Sequence, residues 1–146
     1  MDDVSRLRLR GQIARDEGGY QRFAYPDSEG YWTIGFGRCI DKRKGKGISL
    51  EEAERMLDAD IRDFTADVLV AIPWAMTLGD ARLGALVNIA FNVGVQGLLG
   101  FKKALAAMER GQYQEARTHF LDSKWARQVG PRAPRLADQI ADGEWR

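Results

Sequence analysis

Glu17 stands immediately before Gly18-Gly19. Asp27 opens the turn-like run Asp27-Ser28-Glu29-Gly30, and Thr33 lies in the stretch Tyr31-Trp32-Thr33-Ile34-Gly35-Phe36. Glycoside hydrolysis needs groups of these types: a carboxylic acid to protonate the leaving oxygen, and a second group to direct water or a nucleophile at the anomeric carbon. Glu17 and Asp27 could face each other across a cleft, with Thr33 holding the water. Residue type alone is a weak signal in a chain with 21 acidic residues, because most carboxylates are solvated or structural. The chemistry therefore depends on the elements that would place these three groups.

Leu9, Ile13 and Ala14 recur at helical spacing, so roughly residues 5–17 read as a first helix stopped by Gly18-Gly19. Residues 20–37 read as a hairpin region. Phe23-Ala24-Tyr25 is one strand, Asp27 and Gly30 occupy the positions a type I turn prefers, and the run from Tyr31 to Phe36 is the return strand. The glycine-broken basic run Lys42-Arg43-Lys44-Gly45-Lys46-Gly47 reads as a solvated loop, with binding to anionic wall polymers as the alternative. Ser49-Leu50-Glu51-Glu52 is a capping box. Behind it, Leu50, Ala53, Leu57, Ile61, Phe64 and Val68 form one apolar stripe on a helix of about 22 residues, about 33 Å long, ended by Pro73.

The remainder reads as helical. Asp80 is placed to cap a helix carrying Leu83, Leu86, Val87, Ala90 and Phe91. Gly94, Gly97 and Gly100 punctuate a tight connection. Helices follow from Phe101 to Arg110 and from Tyr113 to Phe120. Pro131 and Pro134 bracket a turn before a last short helix near 136–140. Asn88, in an apolar helix, reads as a structural residue bonding buried backbone.

Bulk properties remove several function classes. A 45% hydrophobic and 29% charged composition is that of an ordinary globular chain, and a formal net charge of +1 creates no global field for nucleic acid. One cysteine, Cys39, and one histidine, His119, leave no disulfide and no protein-built zinc site. The first ten residues contain no apolar leader, and no later run approaches the roughly 18 apolar residues of a membrane span. The reading is of a protein made in the cytoplasm, without metal, cofactor, nucleic acid or membrane insertion.

The pattern Glu-Gly, then Tyr-x-Asp-x-x-Gly-x-x-Thr-Ile-Gly-x-Gly across Glu17–Gly37, resembles the phage T4-type lysozymes, the endolysin muramidases. The resemblance runs on in order to the end of the chain. Ser49 to Asp60 resembles the family's long interlobe helix. Asn88-Ile89-Ala90-Phe91-Asn92-Val93-Gly94 and Gly97 to Phe101 resemble its buried central helix and following turn. Ser123-Lys124-Trp125 with Pro131-Arg132-Ala133-Pro134-Arg135 resembles its cleft-closing segment, and Trp145 matches a late Trp.

The resemblance implies an α+β, mainly helical lysozyme-like fold of one catalytic domain. Its lobes would cover roughly 13–48 and 70–146, with the helix start at 1–12 and the connecting helix at 49–70. It implies hydrolysis of the β-1,4 bond between N-acetylmuramic acid and N-acetylglucosamine, with inversion. Glu17 would be the proton donor, and Asp27 and Thr33 would place the water. Phe91, Asn92, His119 and Arg132 would be substrate-side residues, with Arg132 also pairing with Glu17. Arg38 would pair with Asp60. If that pair depresses the Asp60 carboxyl, its stabilisation would be present above the ordinary Asp value of about 3.9.

The Glu17–Asp27 interval is one residue longer than the family pattern, and Ala104 and Cys39 replace family residues at sugar contacts. The implied partners are peptidoglycan glycan strands and a holin or other membrane-permeabilising helper, with the enzyme a monomer. The competing readings are a lytic transglycosylase, which needs one acid and no water-directing Asp, and a non-catalytic peptidoglycan-binding module.

Overall fold

The structure is a computed structural model that describes residues 1–26, 28, 32–39 and 49–146. Asp27, the tip of the hairpin turn and the basic run 42–47 lie outside the described residues.

Helix α1 (Asp3–Asp16) begins where the Asp2 side chain accepts the Ser5 amide at 2.7 Å, and it ends with Glu17 as its C-cap. Leu9 and Ile13 are fully buried in the main core. The chain then enters a small antiparallel sheet of β1 (Gln21–Pro26), β2 (Trp32–Gly35) and β3 (Arg38–Cys39), in the order β1-β2-β3. Thr33 is opposite Tyr25 on one side and Cys39 on the other. The hairpin is as expected, and β3 is an addition that two residues of pattern could not signal.

Helix α2 (Leu50–Ala71) carries the expected capping box: the Ser49 amide donates to Glu52 at 2.8 Å and the Glu52 amide to Ser49 Oγ at 3.1 Å. Ala53, Leu57, Ile61 and Val68 of its stripe are buried. Leu50 is not part of the buried stripe; as the first helical residue it remains 48% exposed. The C-cap is Ile72, and Pro73 starts a 3-10 turn, Pro73–Thr77.

Helix α3 (Asp80–Leu99) is the centre of the helical region and contributes ten buried residues. It is capped at Gly79 without a side-chain bond. Asp80 is inside the first turn and instead accepts the Asp2 amide at 3.3 Å. Gly94 (φ 77°, ψ 162°) breaks the helix, and the following residues become helical again rather than forming a plain connection; that φ is accessible to glycine at little cost. By length and composition α3 could cross a membrane, contrary to the sequence reading. In the fold its apolar length is core, packed against α1, α2 and α7.

Helices α4 (Lys102–Glu109), α5 (Tyr113–Leu121), α6 (Lys124–Gln128) and α7 (Arg132–Asp142) complete the chain. α6 was not legible as a helix; it spans barely one turn and starts on a Ser123 side-chain cap. Pro134 does not bound a turn but is the third residue of α7. A first-turn N–H has no intrahelical partner, so its loss there costs little.

Candidate active site

Glu17 ends α1 at the point where α1 meets α7 and the turn after β2. Its side chain is 22% exposed, and its Oε1 accepts a hydrogen bond from Arg132 Nη2 at 2.8 Å. Arg132, in the first turn of α7, is 8% exposed, and its Nε also lies 3.3 Å from Asp16 Oδ2. Asp16 is 8% exposed and takes a second guanidinium, that of Arg135, together with the Asn88 side-chain amide at 3.2 Å. Two neighbouring carboxylates therefore meet two arginines and an asparagine. Such pairing is what allows charge to be buried at all.

Gly37 forms the opposite wall. It has φ +79°, and a Cβ built on it would stand 2.6 Å from Glu17 Oε2 and 2.8 Å from Glu17 Cγ. The backbone of the β2–β3 turn thus rests directly on the Glu17 carboxyl. With Arg132 on one side and Gly37 on the other, that carboxyl has a defined place.

Thr33 is in the middle of β2 and 3% exposed. Phe91 is half-buried on α3, with its ring 5.4 Å from that of Phe64 on α2. Asn92 is exposed, and its Oδ1 accepts from Trp125 Nε1 at 2.8 Å. His119 on α5 is near Glu115, Nε2 to Oε1 3.4 Å. It borders an open groove of about 450 Å³ with Phe101, Lys102, Lys103 and Asp122, which Glu17 and Arg132 do not line. The structure thus joins Glu17 and Arg132 directly. Asn92 is tied to Trp125 on α6, and His119 borders the groove beside Phe101. Asp27 is outside the described residues, and so is its separation from Glu17.

Asp16 and Arg135 of the Glu17 cluster were assigned no role from sequence, and Asn88 was assigned a different one. Asp16 immediately precedes the Glu17–Gly37 pattern, and a lone acid at a helix end carries no signal of its partners. Asn88 was read as bonding buried backbone, and its actual acceptor is the Asp16 carboxylate. An amide inside an otherwise apolar helix face was the available signal for a polar partner.

Where the sheet docks on α2, Arg38 Nη2 lies 3.3 Å from Asp60 Oδ1, with side chains 43% and 17% exposed. The pair forms as the resemblance implied, but the carboxyl is not depressed. Burial pushes the Asp60 carboxyl above the ordinary Asp range, Arg38 pulls it down by less, and Asp63 adds a further upward push. Among the described residues no cluster of three or more His, Cys, Asp or Glu side chains could hold a metal.

The phage lysozyme family model matches residues 15–139. The chain is 30% identical to the pre-baseplate central spike protein Gp5 of Enterobacteria phage T4, covering 97% of this chain and 29% of that protein. It therefore spans under a third of the spike protein's length. It is 27% identical to the probable T4-type lysozyme 1 of Dictyostelium discoideum, covering 92% of this chain and 94% of that protein. It is 28% identical to an endolysin of Acyrthosiphon pisum secondary endosymbiont phage 1, over 80% and 77% of the two chains. The family match over most of the chain, on a mainly helical fold with a small N-terminal sheet, means that this chain belongs to the phage lysozyme family of glycoside hydrolases.

Proposed function

We propose that the chain is an endolysin-type muramidase that cleaves the β-1,4 bond between N-acetylmuramic acid and N-acetylglucosamine in bacterial peptidoglycan. The observation that carries this is the Glu17 carboxyl, held at 2.8 Å by Arg132 and walled by the Gly37 backbone. In this reading Glu17 protonates the glycosidic oxygen as the bond breaks. Asp27 and Thr33 place the water that attacks from the opposite face, and the product inverts to the α anomer. Phe91, Asn92, His119 and Arg132 serve the substrate side. The enzyme accumulates in the host cytoplasm as a monomer and reaches the wall when a holin or another permeabilising helper opens the membrane.

The test is clearing of a cell-wall suspension by purified Glu17→Gln, which keeps the shape and the hydrogen-bond acceptor but has no proton to give. General acid catalysis contributes roughly 10²–10⁴-fold, and a loss of that size is expected. Clearing at the unsubstituted rate would remove Glu17 from the mechanism. NMR of the first-formed anomer tests inversion, with initial β product excluding it. A reducing end separates hydrolysis from the 1,6-anhydro end a lytic transglycosylase leaves. Sacculus binding without clearing would mark a wall-binding module.

The likeness to a spike protein favours one second reading: the same catalytic domain serving as a wall-cutting part of a larger particle protein.

A further inference from the structure

Helices α1 and α7 are joined by polar rungs that run in opposite order along the two helices. Gln12 meets Gln139, Asp16 meets Arg135 and Arg132, and Glu17 meets Arg132. Gln12 and Asp16 are one helical turn apart on α1, as are Arg135 and Gln139 on α7. The first rung lies deep: Gln12 is 2% exposed and Gln139 fully buried. Gln12 Nε2 donates to Gln139 Oε1 and to the Arg146 backbone oxygen at 2.7 Å, while Gln139 Nε2 donates to the Ala81 carbonyl at 2.7 Å. One amide pair therefore ties α1, α7, the start of α3 and Arg146 beyond α7 together.

We propose that the Gln12–Gln139 bridge is a positioning device for Glu17, fixing the axial register of α1 against α7 and hence where the carboxyl stands relative to Arg132. The proposal rests on Glu17 being the acid. The core contacts of Leu9 and Ile13 are apolar and non-directional, so only through packing shape do they constrain the position of α1 along its own axis. Amide hydrogen bonds are directional and do set it. Glu17 is the C-cap of α1, so it moves with any axial slip of the helix. Stability alone explains the bridge poorly, because Gln12 Oε1 is buried with no hydrogen-bond partner among the described residues, a cost an apolar pair would not carry.

The experiment measures kcat and KM on soluble peptidoglycan glycan oligomers for two variants, at a temperature where each is folded. Gln12→Leu/Gln139→Leu replaces both amides with apolar groups and also takes a donor from the Ala81 and Arg146 carbonyls, so its stability is measured alongside its kinetics. It should keep KM and lose about tenfold in kcat, inside the roughly 10²-fold that an ångström of misplacement costs. Gln139→Asn keeps the amide but is too short to reach α1 and α3 together, and it should show the same split. Wild-type kcat in either folded variant overturns the proposal. That outcome leaves the Glu17 assignment intact, which only the activity of Glu17→Gln decides.

Discussion

Two sets of opposite charges in this chain stand in contrasting surroundings. At the α1–α7 end, Asp16 and Arg132 are each 8% exposed and share partners with Glu17, Arg135 and Asn88. At the seam between sheet and α2, Arg38 is 43% exposed and pairs with Asp60 at 3.3 Å. The first set is a network in which each charge has an opposite charge beside it. In the second, Asp60 loses more to burial than Arg38 returns, so its carboxyl sits above the ordinary range. The ion pair is the same chemically in both places, and what differs is how much water its members have given up and how many partners they gained.

The sharpest way to break that contrast is to delete one member of the buried network. Asp16→Asn should cost toward the lower end of the about 3–5 kcal/mol typical of a broken buried pair, because Arg132 keeps Glu17. Denaturant unfolding would show it, and a cost under about 1 kcal/mol would place the network with exposed pairs.

A smaller loss of stability is expected at the wall of the site. Gly37→Ala meets a left-handed backbone penalty of about 1–2 kcal/mol and drives a methyl into Glu17. Its glycan-cleaving activity should therefore fall by more than its melting temperature predicts. Activity that tracks stability alone would show that the turn yields without disturbing the carboxyl.

The smallest effect belongs to the seam. An Arg38→Met, Asp60→Asn double-mutant cycle should return a coupling of about 0–1 kcal/mol, shrinking as salt is added. Its pH dependence has a definite sign. With the folded carboxyl raised, the native state binds its proton at higher pH than the unfolded chain. Stability therefore falls as pH rises from the unfolded value of about 3.9 through the folded one. Thermal melts should show Asp60→Asn gaining on the wild type across that window, and a relative loss there would mean the ion pair outweighs burial.

Much of the fold was legible because its causes are local. The capping box at Ser49, the stripe from Ala53 to Val68 and the turn-flanked strands obey rules that span a few residues. The misreadings have the same origin. Pro134 and Asp80 were given their commonest roles, and a shift of one or two positions at a helix start changes those roles. α6 is too short to show a period. The apolar length of α3 is core because other helices cover it.

By itself the sequence determined which residue types were available, the helices and strands that carry them, and, through its motif, the family. Only the tertiary structure decided whom they meet. Asp16 finds Asn88 and Arg135 at separations of 72 and 119 positions, and Glu17 finds Arg132 at 115. The fate of Asp60 was also settled there. An ion pair in sequence carries no measure of burial, and desolvation, set by what packs around a carboxyl, reversed the direction that its partner's charge alone would give.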